Sequence, residues 1–68
     1  MKFSDRLKGL REKNDMTQEQ LAKALHVSAQ AVSKWENGKS YPVIHSLLLL
    51  SALFDVSLDQ LIKGDLET

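Results

Sequence analysis

Two well-marked helix starts, eleven residues apart with almost nothing between the helices they open, constrain this chain more than any other feature. At the first, Thr17 stands three residues before Gln20. In such a capping box each side chain reaches the other residue's backbone N–H. Met16 and Leu21 occupy the positions of a hydrophobic staple across the same end. At the second start, Ser28 is a good N-cap, with Val27 and Val32 at staple spacing. Gly38 supplies the left-handed residue that commonly closes a helix. Only His26 and Val27 remain between Leu25 and Ser28. So short a connection predicts two helices meeting at a steep angle.

The apolar pattern agrees with these boundaries. Leu21, Ala22 and Leu25 share one side of the first helix, and Ala31, Val32 and Trp35 share one side of the second. Ser28, Ala29, Gln30, Ser33, Lys34 and Asn37 are left outside on the second helix. Amide and ammonium groups on a protruding helix can hydrogen-bond base edges in a DNA groove, and an alanine can touch a thymine methyl. Any solvent-facing helix is also polar outside, so this pattern alone leaves both readings open.

Three more helices complete the chain. The first covers about Phe3 to Asn14, with Phe3, Leu7 and Leu10 on one stripe and Asn14-Asp15 as its breaker. The fourth covers roughly Val43 to Phe54 after Pro42, with Ile44, Leu47, Leu50, Ser51 and Phe54 facing inward. The fifth begins at Ser57, with a capping box to Gln60 and a staple from Val56 to Leu61, and is expected to end near Lys63-Gly64. Nothing reads as a strand. The expectation is one all-α domain over residues 1–68, with its core in 3–62 and a frayed tail over 63–68.

Sixty-eight residues can bury only a small core. No cysteine is present, so there is no disulfide or Cys-based metal site, which suits a reducing cytoplasm. His26 and His45 have no carboxylate or thiol at ligand spacing, and no cofactor, metal or small-molecule substrate is indicated. The longest apolar run, within Val43 to Phe54, is well short of the ~20 residues needed to span a bilayer. No signal peptide is visible, and no membrane partner is expected. The formal net charge is zero, unusual for a nucleic-acid binder. Its distribution is uneven: residues 1–54 carry eight basic and five acidic side chains, residues 55–68 one basic and four acidic. A locally positive face is compatible with this, with less weight on bulk electrostatics.

Thr17-Gln18-Glu19-Gln20-Leu21-Ala22, then Val27-Ser28, then Val32-Ser33-Lys34-Trp35-Glu36-Asn37-Gly38-Lys39, resembles the helix-turn-helix family of phage repressors and Cro proteins, often called XRE-like. The similarity continues through Pro42-Val43-Ile44 and from Phe54 to Leu61, in order and spacing. It implies a compact five-helix, lambda-repressor-like DNA-binding domain whose helices 2 and 3 form the helix-turn-helix. It further implies that Gln18 holds a DNA phosphate, that Ser28, Ala29, Gln30, Ser33 and Lys34 face the bases, and that Asn37, Lys39 and Ser40 grip the backbone on the far side. Chemistry supports these roles: Gln30 can bridge adenine N6 and N7, and Lys34 can reach guanine O6 and N7. Arg11 and Glu36 match positions that form an ion pair between helix 1 and the end of helix 3 in family members.

Two departures from the family pattern stand out. His26 replaces a frequent glycine in the turn, a substitution histidine tolerates because it enters left-handed dihedrals more readily than most residues. Helix 4 is apolar almost all round, with Leu48, Leu49 and Ala52 on the side away from Ile44, Leu47, Leu50 and Phe54. Such a helix must be buried on more than one side. A symmetric homodimer burying Leu48, Leu49 and Ala52 is therefore expected, the alternative being that one of them packs beneath helix 1 or 5.

Three function classes follow. The leading one is a sequence-specific transcriptional regulator, a repressor binding a palindromic operator in double-stranded DNA as a homodimer, in the cytoplasm. The second is a protein-interaction module of the same fold, an antitoxin or anti-repressor with weak DNA binding. The third, an enzyme, finds no nucleophile–base pair, carboxylate dyad, metal cluster or glycine-rich phosphate loop. The sequence is compatible both with a small whole protein and with one domain of a longer one.

Overall fold

The computed structural model describes residues 2–66, the last three by their backbone alone. Five helices follow one another: α1 (Phe3–Lys13), α2 (Gln18–Leu25), α3 (Ala29–Glu36), α4 (Ile44–Phe54) and α5 (Leu58–Leu66). No strand occurs among the described residues. Helix α1 packs against α3 and α5, α2 against α3 and α4, and α4 against α5.

The starts follow the local chemistry. The Thr17 hydroxyl accepts from the Gln20 N–H at 3.1 Å while Gln20 Oε1 accepts from the Thr17 N–H at 2.9 Å. Ser57 and Gln60 repeat this box at 3.0 and 2.9 Å. Ser28 Oγ accepts from the Ala31 N–H at 3.1 Å. Val43 offers no side-chain cap to α4.

The ends obey one rule that the sequence only half displays. Asp15, His26, Gly38 and Asp55 all adopt left-handed backbone angles, with φ of 55°, 59°, 72° and 54°. In each case the next N–H turns back to a carbonyl five residues earlier: Met16 to Arg11, Val27 to Ala22, Lys39 to Lys34 and Val56 to Ser51. This is the Schellman closure. Gly38 makes it without a Cβ penalty; the other three positions use the residue types that enter this region most readily after glycine.

The core takes Phe3 and Leu7 from α1, Leu21, Ala22 and Leu25 from α2, Val32 and Trp35 from α3, Leu47 and Leu50 from α4, and Leu61 from α5. Arg6 Nη1 donates to the Leu61 carbonyl at 2.9 Å, fastening α1 to α5. Ser51 Oγ donates to the Val56 carbonyl beneath the α4–α5 turn.

Three expectations are corrected. Ile44 is 63 % exposed rather than inward, because the chain enters α4 with Ser46 and Leu47 turned to the core instead. Leu49 is half-buried and packs against the core cluster, so it does not stand out on the free side with Leu48 and Ala52. Helix α5 runs through Leu66, past the expected end near Lys63-Gly64. A glycine inside a helix costs only about 1 kcal/mol, too little to end one by itself. Of the tail expected to fray over 63–68, residues 63–66 are thus helical, and 67–68 lie outside the described residues.

Candidate nucleic-acid interface

Helix α3 is held on one side and free on the other. Val32 and Trp35 anchor it in the core, Ser28 caps its start and Gly38 closes its end. Gln30 and Lys34 are exposed on the outer side, with Ser28 beside them at the cap. Ser33 is half-buried, and its Oγ accepts a 3.3 Å hydrogen bond from Asn37 Nδ2. Ala29 is half-buried against the core cluster, which leaves it less room to face a groove than its neighbours have. The outer surface is therefore led by one amide and one ammonium, both able to read base edges.

Beyond α3, the Schellman closure brings the Lys39 N–H to the Lys34 carbonyl at 2.9 Å. That bond sets Lys39 and Ser40 immediately beside the helix end, and Asn37, Lys39 and Ser40 are all exposed. A cleft of about 370 Å³ opens here, lined in part by Lys2 and Ser4 at the start of α1 and by Lys39, Ser40 and Tyr41. Phe3 and Tyr41, both in its wall, pack ring to ring with centroids 4.8 Å apart.

Gln18 sits in the first turn of α2, half-buried, beside the end of α3. Its Nε2 donates to Glu36 Oε1 at 3.1 Å, a bond that sequence spacing did not disclose. Glu36 is the hub of the region. Arg11 Nε reaches its Oε2 at 2.6 Å and Arg11 Nη2 its Oε1 at 3.1 Å, a two-pronged pairing, with side chains 12 % and 3 % exposed. The third Arg11 donor, Nη1, bonds the Met16 carbonyl at 2.7 Å. The Glu36 hydrogen bonds raise the Arg11 pKa above its ordinary value against the opposing effect of burial. The expected ion pair therefore exists and is shielded, and it joins α1, the entry to α2 and the end of α3.

On α4, Ile44, Leu48 and Ala52 form an exposed stripe at four-residue spacing, with Val43 at its head 69 % exposed and Leu48 52 % exposed. The helix carries no acidic residue in its first turn and no basic residue in its last. Among the described residues no cluster fit to hold a metal occurs, and no helix is long and apolar enough to cross a membrane.

Comparison with known proteins places this geometry. A family model described as Helix-turn-helix matches residues 7–61. The chain is 48 % identical over 65 residues to the HTH-type transcriptional activator BcrR of Enterococcus faecalis, covering 96 % of this chain and 32 % of that protein. It is 39 % identical over 64 residues to Repressor protein C2 of Salmonella phage P22, covering 94 % and 30 % respectively. The chain thus spans about a third of the length of these relatives. In structure it matches the P22 c2 repressor crystallised with a synthetic operator, with a TM-score of 0.89 at 35 % identity, covering 96 % of this chain and 98 % of that one.

Proposed function

Because the chain belongs to the helix-turn-helix family, we propose that it is a sequence-specific DNA-binding transcriptional regulator that inserts α3 into the major groove of an operator. The observation that carries this reading is the presentation of α3: rigidly held by core, cap and closure, with Gln30 and Lys34 outward. Gln30 and Lys34 read base edges, with Ser28, Ser33 and the half-buried Ala29 beside them in a lesser part. Gln18 at the start of α2 and Asn37, Lys39 and Ser40 after the end of α3 hold the phosphates. A likeness to a repressor bound to operator supports the assignment. The domain acts by occupancy, in the cytoplasm where duplex DNA is found, and no reaction is part of the proposal. Repression follows wherever its site overlaps a promoter.

The operator is palindromic and the bound form is a homodimer, with the two α3 helices in successive major grooves ~34 Å apart. The exposed stripe of α4 supports a second copy as its cover. A face that bears no charge meets its two-fold mate without repulsion.

Selection from a randomised duplex library at about 0.1 M salt, where phosphate contacts still contribute strongly, tests the proposal. Wild type is expected to enrich a two-fold symmetric site, and Lys34→Ala to relax the same base pair in each half by ~1–3 kcal/mol of discrimination. Absence of any enriched motif would sink the reading. One observation, the apolar stripe of α4, equally favours the protein-interaction module. Salt separates the two, since a grip on several phosphates weakens steeply as salt rises and an apolar interface does not.

A further inference from the structure

We infer that Glu36 is a positioning residue for DNA binding, which acts by holding the Gln18 amide in the orientation that meets a phosphate. The inference rests on the reading of Gln18 as a backbone contact, made above. A carboxylate can only accept hydrogen bonds, so the 3.1 Å contact between Gln18 and Glu36 fixes which end of the amide faces inward. The NH₂ group spends one hydrogen on Glu36. Its second hydrogen remains for an outside acceptor, and at the first turn of α2 the nearest company is the set of helix N-terminal N–H groups that suit a phosphate.

Glu36 can impose that orientation because it is itself immobile. Both its oxygens are held by Arg11, its side chain is 3 % exposed, and Arg11 is tied in turn to the Met16 carbonyl, two residues before Gln18. A glutamine on an open helix turn must surrender rotamer freedom when it binds, which weakens the contact. Here that ordering is complete before DNA arrives. The same carboxylate lies one residue before Asn37, which begins the second set of proposed phosphate contacts. One buried group therefore fixes the separation between the two grips on the backbone.

The test replaces the ion pair with apolar residues of similar bulk, Arg11→Met with Glu36→Leu. This removes the acceptor of Gln18 without stranding a buried charge, and it leaves the net charge unchanged. Binding to the duplex selected by wild type is measured with and without Gln18→Ala, in both backgrounds and across a range of salt. Gln18→Ala is expected to weaken wild-type binding about tenfold, the size of one hydrogen bond to a charged group, and to add less than twofold in the Met–Leu background. Both the Met–Leu protein and Gln18→Ala are expected to keep the wild-type salt slope, because a neutral amide releases no counterion from the phosphate it meets. Equal tenfold losses in both backgrounds would overturn the positioning role while keeping Gln18 as a contact. No effect of Gln18→Ala in wild type would overturn both, though DNA binding itself would stand.

A second measurement needs no variant beyond those that assign the resonance. In wild type, the two side-chain amide protons of Gln18 are followed by NMR during titration with duplex. One is expected to shift on binding while its Glu36-bonded partner stays. Equal movement of both, or of neither, would contradict the inference.

Discussion

The α2–α3 pair and α4 solve the problem of ending a helix in the same way and the problem of starting one in opposite ways. Both α2 and α3 begin on a hydroxyl that accepts a backbone N–H, and their outer faces are polar. Helix α4 begins on Val43, which offers no hydrogen bond, and its outer face is apolar. Local chemistry therefore specifies α2 and α3 before any packing occurs. Helix α4 depends on what covers it: the core on the side of Leu47 and Leu50 and, in the proposed dimer, a second copy on the side of Ile44, Leu48 and Ala52. The contrast separates a recognition unit that must be rigid alone from an element whose stability is shared with an assembly.

The largest effect should come from breaking that shared stability. Leu48→Glu places a charge at the middle of the stripe in both copies, so each cost is counted twice. Losing the residual apolar burial of two half-exposed leucines, and facing one carboxylate with another, is expected to cost the dimer about 4 kcal/mol, roughly a thousandfold in its dissociation constant. Sedimentation of wild type and variant over a range of concentration checks it. The monomer should melt almost unchanged, because Leu48 is not a core residue. Identical masses at every concentration would place the interface elsewhere. Leu49→Glu is the wrong probe, since Leu49 packs against the core and its loss would unfold the monomer as well.

Next in size is Arg11→Ala, which attacks the other region. It strands the Glu36 carboxylate, and the expected loss is about 3 kcal/mol in thermal or urea unfolding, the low end for a buried pair because Arg11 retains some exposure. Gln18 alone cannot neutralise the charge. The Arg11 pKa is raised in the folded state, so its contribution is complete below arginine's ordinary value and is lost only as pH rises through the still higher folded one. The deficit of Arg11→Ala should therefore show no titration of arginine across neutral pH. It should also persist in high salt, because shielded pairs are screened little. A deficit that vanished in salt would mean the pair is exposed in solution.

These two regions also differ in how far they can be read from sequence. The caps of α2, α3 and α5 are local, involving residues three apart, and Thr17, Gln20, Ser28, Ser57 and Gln60 all make the expected bonds. The left-handed positions were legible at Gly38 and His26, and less so at Asp15 and Asp55, where the backbone angle is imposed by the Schellman closure rather than announced by glycine. The bond from Gln18 to Glu36 spans eighteen residues and depends on how α2 and α3 cross, which no spacing rule supplies. On α4 an apolar residue at almost every position removes the periodicity from which a face is inferred. The sequence pattern accordingly points Ile44 inward and does not single out Ser46, whereas Ile44 is exposed and Ser46 buried. Amphipathic helices disclose their orientation; a helix suited to two interfaces conceals it.

The smallest predicted effects test whether capping is the real distinction between the two regions. Thr17→Ala removes an acceptor at the start of α2 and leaves the Gln20 N–H without its partner, at an expected cost of about 1 kcal/mol. Val43→Ser makes the opposite change at the start of α4. Val43 already has the extended backbone of a cap residue, with φ −70° and ψ 164°, so a serine there needs no rearrangement to accept an amide of the first turn. It is expected to stabilise the monomer by about 0.5 kcal/mol, the lower part of the capping range, because the site is solvent-exposed. The same substitution trims the apolar surface at the head of the stripe, so it should weaken self-association while raising the melting temperature of the monomer. Opposite signs in those two measurements would mean that α4 forgoes a capping bond to keep an apolar end for its partner. If Val43→Ser instead destabilised the monomer, Val43 would be packing within it, and the uncapped start of α4 would need another cause.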